Sequence, residues 1–244
     1  MIGLSAKICS FHFIRKEAAN MKTAKRKAGS SPSEADFLKR FELKVSPTEM
    51  KKIKLAYALA EFGHSEQSRD NGEPYFNHLV AATLILVDEL GVTDVDLVVS
   101  ELLHDMLEDS PILNEAALTL IFGKRVAKIV QNVTKPKRND PRFGSDDERH
   151  QAYFARITSC RVDEKIVKMA DRLHNVRTLD NCLLQKRERK IRETRDHYLP
   201  LVDDIRRVHP EQAVYLKRQL LIALDRAEKR LGTENAQKWQ PTSG

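Results

Sequence analysis

Residues 94–109 read DVDLVVSELLHDMLED, and this stretch sets the interpretation of the whole chain. Its apolar side chains recur every three or four positions, which is the spacing of one face of a helix. Asp94 and Asp96 are of the residue type that caps a helix N-terminus, and Pro111 just beyond the stretch breaks a helix. We therefore predict one helix that runs from this cap to about Asp109.

The end of this helix concentrates one imidazole and three carboxylates, on His104, Asp105, Glu108 and Asp109. Residues four apart share a helix face, so Glu108 is predicted to lie over His104, and Asp109 over Asp105. The carboxylates on such a stripe repel one another, and a divalent cation would neutralise the repulsion. Imidazole and carboxylate ligands favour Mn²⁺, Fe²⁺ or Zn²⁺. The alternative is a solvated acidic helix end that binds no metal.

Helical periodicity extends over most of the chain, and no segment shows the alternation of apolar and polar residues that is typical of a strand. Ser46, Pro47 and Glu49 have the form of a capping box that opens a helix. Further helices are predicted over about residues 75–90, 114–122, 124–133, 147–159, 162–178, 185–197 and 210–231. The sequence therefore predicts an all-α fold with a single domain.

Charge divides the chain into a body and two tails. Ten Lys or Arg and four acids lie in residues 1–48, and they account for six of the seven net positive charges. We predict a disordered basic tail over residues 1–36, a domain over 37–232 and a disordered tail over 233–244. Because the body is close to neutral, a nucleic-acid partner is not expected. The basic run at 22–27 is the segment that would favour nucleic acid instead.

The three cysteines, Cys9, Cys160 and Cys182, are odd in number and lack the Cys-x-x-Cys spacing of a thiolate metal site. They are interpreted as free thiols in a reducing compartment, so a cytoplasmic location is expected. No apolar run approaches the ~18 residues that a membrane-spanning helix requires. Membrane insertion is therefore not predicted.

Two further segments carry polar groups at helical positions. Residues 72–78, GEPYFNH, place His78 in the first turns of a helix. Residues 168–178, KMADRLHNVRT, place an acid, an imidazole, an amide and a hydroxyl on one face at spacing 0, 3, 4 and 7. Taken singly, the histidine is typical of a buried core residue and the polar face of a solvated surface. Together with residues 102–109 they indicate the wall of a site.

The chain resembles the HD superfamily of phosphohydrolases, and more specifically the (p)ppGpp hydrolase domain of RelA/SpoT-type proteins. Five segments carry the resemblance in order: RDNGEPYFNH (69–78), LLHDMLED (102–109), FG (122–123), VTK (133–135) and ADRLHNVRT (170–178). The His-Asp pair alone is a weak signal, whereas five segments in order with compatible spacing are specific. The resemblance runs from about residue 53 to residue 200 and implies an HD-domain helical bundle.

The resemblance also implies a metal site and a reaction. Its metal ligands would be His78, His104, Asp105 and Asp171, which hold one Mn²⁺. Glu108 and Asp109 match the pair that orients and deprotonates the attacking water, a general-base role. The implied reaction removes the 3′-pyrophosphate of ppGpp or pppGpp, and it yields GDP or GTP and pyrophosphate.

The same resemblance implies substrate contacts. Arg69 matches an arginine that stacks on guanine, and Asn175 and Thr178 match residues near the sugar and phosphates. Lys135 and Arg172 are expected to assist through their positive charge. Guanosine tetraphosphate and pentaphosphate are therefore the expected substrates, and a homo-oligomer is compatible with the resemblance.

The sequence departs from the family pattern in three respects, one of which, Leu79 in place of the usual proline after His78, leaves the expected ligand intact. Asp70 stands where the family usually has a basic residue, which puts the substrate in some doubt because a carboxylate repels a polyanion. About 44 residues follow Pro200, so the chain looks like a stand-alone small alarmone hydrolase without a synthetase domain. Alternatives are a (p)ppApp hydrolase that neutralises a toxic synthetase, an NADPH phosphatase, a 5′-nucleotidase and a non-catalytic HD module.

Overall fold

A computed structural model describes residues 32–109 and 112–238 of the chain, without the side chains of Asp109 and of residues 234–238. Its α-helices are α1 (Glu34–Leu38), α2 (Pro47–Gly63), α3 (Tyr75–Leu84), α4 (Val95–Leu103), α5 (Met106–Asp109), α6 (Glu115–Phe122), α7 (Lys124–Val133), α8 (Asp146–Ser159), α9 (Val162–Arg177), α10 (Leu184–Glu193), α11 (Leu201–Arg206) and α12 (Pro210–Lys238). The predicted all-α class is confirmed: in the described ranges, extended pairing is confined to a bridge between Ser68 and Pro74.

Described helices lie partly outside the predicted boundaries 37 and 232 of the domain. Helix α1 begins at Glu34 because Ser33 caps it, with the Ser33 hydroxyl accepting a hydrogen bond from the Asp36 backbone at 3.1 Å. At the other end, α12 continues through Gly232 to Lys238, since a single glycine weakens a helix by only about 1 kcal/mol. Residues 1–31, with most of the predicted basic tail, lie outside the described residues.

The start of α2 follows its local sequence. The Ser46 hydroxyl accepts from the Glu49 backbone at 3.3 Å, and the Glu49 carboxylate accepts from the Ser46 backbone at 2.8 Å. This reciprocal pair satisfies two of the backbone donors that a helix N-terminus leaves free. The predicted capping box, with Pro47 at the first helical position, is confirmed.

Two hydrophobic clusters form the core. One gathers buried side chains of α1, α2, α3, α4, α6 and α7, and the other those of α9, α11, α12 and the turn after α3. Helices α3, α4 and α9 pack against one another where the two clusters meet. Polar side chains on these three helices are therefore brought together deep in the fold.

Helix α3 runs into a π-helical turn, Ile85–Glu89, before Gly91 ends it at a φ of 67°. Glu89 in that turn accepts two hydrogen bonds from Arg177 at the end of α9, at 2.7 and 2.9 Å. A paired Arg–carboxylate contact of this kind fixes geometry as well as adding energy. It locks α3 against α9, the two helices that supply His78 and Asp171.

The predicted single helix over residues 94–109 is wrong in one respect: it breaks between α4 and α5, at His104 and Asp105. The carbonyl of Glu101 accepts from the His104 ring at 2.7 Å, and the carbonyl of His104 lies 2.5 Å from the Thr134 hydroxyl, whose single proton it shares with the Val130 carbonyl at 2.6 Å. Both carbonyls would otherwise serve the helix ladder, and side chains compete for them. The predicted stacking of Glu108 on His104 is therefore replaced by a turn.

Three short elements were absent from the sequence prediction, namely helices α1 and α11 and the 3₁₀ turn Leu179–Asn181. Helix α11 spans only six residues, which is too short for a periodic signal. None of the helices in the described ranges combines the length and the apolarity that crossing a membrane demands.

Candidate metal centre and adjoining cavity

Three buried side chains from three helices converge on one point. His78 comes from α3, His104 from the end of α4 and Asp171 from α9, and their donor atoms all lie within 4.8 Å of one another. The Asp171 Oδ1 is 3.1 Å from His78 Nε2 and 3.6 Å from His104 Nε2. Two imidazole nitrogens and a carboxylate at these distances form a donor set suited to a divalent transition metal.

Asp105 adds a fourth donor beside this cluster. Its Oδ2 lies 3.1 Å from His104 Nε2 and accepts a hydrogen bond from the Tyr75 hydroxyl at 2.5 Å. The break between α4 and α5 is what turns Asp105 toward the cluster. Tyr75 was not among the predicted site residues, although it lies within the quoted segment 69–78.

The ring orientation of His104 fits a bound cation. His104 Nδ1 donates to the Glu101 carbonyl, so the neutral ring presents a lone pair at Nε2. That nitrogen is buried, has no hydrogen-bond partner in the described residues and faces carboxylate oxygens of Asp105 and Asp171. Acceptors that face acceptors in a buried site require a positive charge between them. The four residues present therefore fit a divalent metal ion.

The same electrostatics appear in the pKa of His104. Burial lowers it, but the carboxylates of Asp105 and Asp171 outweigh burial and hold the pKa well above its usual value. A proton on this ring and a metal ion beside it would supply the same positive charge. The two are therefore expected to compete for His104.

Asp171 is held as an anion by its own helix. Burial raises the pKa of Asp171, but the positive charges of Lys168 and His104 outweigh burial and hold that pKa well below its usual value. Lys168 Nζ lies 2.8 Å from Asp171 Oδ2, and the Asn175 amide donates to Asp171 Oδ1 at 2.5 Å. Metal ligands oriented by such partners are more rigid and more selective.

His174 lies behind His78. The two Nδ1 atoms are 2.7 Å apart and the ring centroids 4.8 Å apart. Burial, and secondarily the neighbouring His78, lower the pKa of His174 to about 2, so its ring is neutral near pH 7. The sequence placed His174 on the polar face of α9 beside Asp171, but it gave no sign that the ring would meet α3.

A cavity of about 310 Å³ opens beside the cluster. Seven of the predicted site residues line it: Arg69, Asp105, Glu108, Lys135, Asp171, Arg172 and Asn175. Nine Lys or Arg and six Asp or Glu side chains form its wall. The excess of positive charge, next to a metal donor set, suits a polyanionic ligand.

Arg69 is fixed against α9. Its Nη2 donates to Asn175 Oδ1 at 3.0 Å and lies 3.5 Å from the Thr178 hydroxyl. Asn175 in turn donates to Asp171, so one amide links the arginine to the metal donor set. The structure thus brings together Arg69, Asn175 and Thr178, three of the predicted substrate contacts, and joins them to one another.

Arg172 and Lys135 also line the cavity. Arg172 is buried over the ring of Tyr198 at 3.7 Å, and two of its three nitrogens have no hydrogen-bond partner in the described residues. Its third nitrogen lies 3.5 Å from Glu193, which also pairs with Lys190 at 3.3 Å. Burial lowers the pKa of Lys190 to about 7, with Arg172 and Lys135 adding to the effect.

The predicted general bases are only partly described. Glu108, on α5, is half-buried and faces the cavity next to Asp105. The side chain of Asp109 lies outside the described residues. The proximity of Glu108 to the donor set gives it access to a water held there.

The model of the HD domain family matches residues 56–204, well over half of the chain. The chain belongs to the HD domain family. Among HD relatives it is 35% identical over 156 residues to the bifunctional (p)ppGpp synthase/hydrolase SpoT of Escherichia coli K12. It is 36% identical over 157 residues to a guanosine-3′,5′-bis(diphosphate) 3′-pyrophosphohydrolase of Aquifex aeolicus.

These alignments cover 63% and 64% of this HD chain and 22% of each relative, so the chain spans about a fifth of their length. A solved HD structure, described as a metazoan ortholog of SpoT that hydrolyzes ppGpp and plays a role in starvation responses, superimposes with a TM-score of 0.60. The match covers 72% of this chain and 94% of the other at 24% identity. It confirms the HD-domain helical bundle.

Proposed function

We propose that this chain is a metal-dependent hydrolase that removes the 3′-pyrophosphate of ppGpp or pppGpp, giving GDP or GTP and pyrophosphate. The observation that carries the proposal is the junction of a buried His–carboxylate donor set with a basic cavity. The donor set suits a metal, and the cavity suits a polyphosphate. The names of the Escherichia coli and Aquifex aeolicus relatives support this substrate class.

In this proposal His78, His104, Asp105 and Asp171 hold one Mn²⁺ ion. A divalent ion there supplies Lewis-acid chemistry, since it lowers the pKa of water toward neutrality and offsets phosphate charge. The chain's part is to fix the donors. Lys168 and Asn175 hold the Asp171 carboxylate, and Tyr75 holds that of Asp105.

Other side chains are proposed to accept the proton of the attacking water and to bind the substrate. Glu108 and Asp109 are proposed to orient the attacking water and to take up its proton. Arg69 is proposed to stack on the base, an Arg–π contact of about 1 kcal/mol or more when desolvated. Asn175 and Thr178 would contact the sugar and phosphates. Holding water and phosphorus in line is expected to supply much of the rate.

The part of the cavity lined by Lys135, Arg172, Lys190 and Glu193 is proposed to bind phosphate groups of the substrate. Glu193 pairs with Arg172 at 3.5 Å, Lys190 at 3.3 Å and Arg189 at 3.7 Å, and Lys135 is near enough to help lower its pKa, so the positive charge there is only partly compensated. The positive charge of Arg172, which lines the cavity, would attract an incoming phosphate group.

The test is Mn²⁺-dependent release of pyrophosphate from ppGpp, with release of pyrophosphate from ppApp and of phosphate from NADPH and deoxynucleoside monophosphates measured in parallel. His104→Ala removes a proposed ligand and is expected to abolish release. His209→Ala is the matched control, because that ring is half-exposed and pairs with Asp163 at 3.3 Å, away from the cavity. Turnover of another panel member in place of ppGpp would reassign the substrate, and no turnover of any would overturn the proposal.

A further inference from the structure

The contact between His78 and His174 joins two helices at the back of the metal centre. The residues are 96 positions apart, yet their Nδ1 atoms approach to 2.7 Å. A nitrogen–nitrogen contact this short requires one N–H donor and one lone pair. The contact therefore has two possible polarities, and they differ in which ring carries the shared proton.

The polarity decides what His78 offers to the centre. A neutral imidazole has one protonated nitrogen, so a proton on His78 Nδ1 leaves a lone pair on Nε2. That Nε2 atom faces Asp171 Oδ1 at 3.1 Å, within the donor set. The opposite polarity would put the proton on Nε2 and aim it at Asp171, and His78 could then not ligate a metal.

We propose that His174 is a positioning residue that accepts the Nδ1 proton of His78 and thereby fixes the His78 tautomer that can bind a metal. The inference rests on the metal site of the proposed function, and it assigns a role to a residue that touches neither metal nor substrate. Helix α9 then supplies Asp171 as one ligand and, one turn later, the acceptor that orients a ligand on α3.

The expected size of the effect follows from the chemistry. Partners that hydrogen-bond to a metal-ligating histidine typically change metal affinity by about 10- to 100-fold. His174→Phe keeps an aromatic ring but has no acceptor, whereas His174→Asn keeps an acceptor oxygen close to the position of Nδ1. An acceptor role predicts that Asn restores what Phe loses. A packing role predicts the reverse, because the larger ring of Phe fills the buried space better.

The experiment is calorimetric titration of Mn²⁺ into the purified wild-type chain, His174→Phe and His174→Asn, with the melting temperature of each metal-free protein measured alongside. We expect His174→Phe to bind Mn²⁺ about 10- to 100-fold more weakly and His174→Asn to stay within about threefold of wild type. Equal Mn²⁺ affinity for wild type and His174→Phe overturns the inference, as does equal weakening of both variants. In either case the proposed function still stands if the wild type binds Mn²⁺ and hydrolyses ppGpp.

A second measurement needs no variant to fold. Long-range ¹H–¹⁵N spectra of the Zn²⁺-loaded wild type report directly which imidazole nitrogens carry protons. A protonated Nδ1 on His78 with a bare Nδ1 on His174 supports the inference, and the opposite pattern overturns it. Failure of the wild type to bind either metal would overturn the proposed function itself, and this inference with it.

Discussion

The Lys186 ammonium lies 2.7 Å from the Asp70 carboxylate at the half-exposed edge of the cavity. Lys186 is the main cause that lowers the pKa of Asp70, so the carboxylate stays ionised and paired. The sequence alone showed Asp70 as a negative charge near a site for a polyanion. The structure shows it compensated from α10, 116 residues away, so Asp70 does not leave the edge net negative.

Lys186→Ala is expected to leave the negative charge of Asp70 uncompensated near the substrate. Because the pair is half-exposed, the effect should be modest, about a two- to fivefold rise in KM for ppGpp with little change in kcat. The rise should shrink at high salt, since exposed charges are screened. Steady-state kinetics at low and high ionic strength would measure it. Lys229→Ala, which breaks an exposed pair with Asp225 on α12, is the matched control.

The double variant separates pairing from net charge. Asp70→Asn with Lys186→Ala removes both charges and should restore a KM close to that of wild type. If KM instead rises as far as in Lys186→Ala alone, Lys186 acts on the substrate directly rather than through Asp70.

Tyr75→Phe removes only the hydroxyl that donates to Asp105 at 2.5 Å. A hydrogen bond to a charged group contributes about 1.5–3 kcal/mol, so Mn²⁺ affinity or kcat should fall by about tenfold or more. Calorimetric Mn²⁺ titration and turnover of ppGpp would measure the two effects. Tyr215→Phe makes the same change at a 2.5 Å bond to Glu89, outside the cavity, and because the two Arg177 bonds still hold Glu89 it should leave both values close to those of wild type. Equal behaviour of the two variants would contradict a role for Tyr75.

The fold class, the capping box of α2 and the polar face of α9 could be predicted because each depends on residues close together in sequence. The break after His104 could not, since it depends on a hydroxyl 30 residues away at Thr134. Nor could the partners of His78 and Asp70, which come from helices that meet only in the fold. Periodicity tells which face of a helix is polar, but contacts between helices decide what that face touches.

Thr134→Val tests the cause of the helix break. It removes the hydroxyl that the His104 and Val130 carbonyls share and keeps the side-chain volume, so the turn between α4 and α5 loses a constraint. We expect a loss of about 1–2 kcal/mol in the free energy of unfolding and a lower kcat, because Asp105 turns with this backbone. Urea unfolding and ppGpp turnover measure the two quantities.

Thr83→Val is the matched substitution for this test. The Thr83 hydroxyl is also buried, and it donates to the Leu79 carbonyl of its own helix at 2.8 Å. Thr83→Val should lower the free energy of unfolding without lowering kcat. A drop in kcat of the same size in both variants would show that turnover follows stability, and the account of the turn would then be wrong.

The buried carboxyl group of Glu101 is expected to make the stability of the metal-free chain depend on pH. Neither carboxylate oxygen has a hydrogen-bond partner in the described residues, and burial raises the pKa of Glu101 to about 8 from an ordinary value near 4.5. Between those two values the folded metal-free chain binds a proton that the unfolded chain has lost. Stability due to Glu101 is therefore fully present below about pH 4.5 and is lost as the pH rises toward 8, by at most about 1.4 kcal/mol per pH unit.

Glu101→Gln removes the titration and keeps the size and polarity of the side chain. We expect the variant to be more stable than wild type at pH 8.5 and to lose less stability between pH 5 and pH 8. Urea unfolding of both proteins, with a chelator present, at half-unit pH steps would measure the difference. Parallel pH profiles for the two proteins would mean that the Glu101 carboxylate finds water or a partner when the chain is in solution, and that its burial does not control stability.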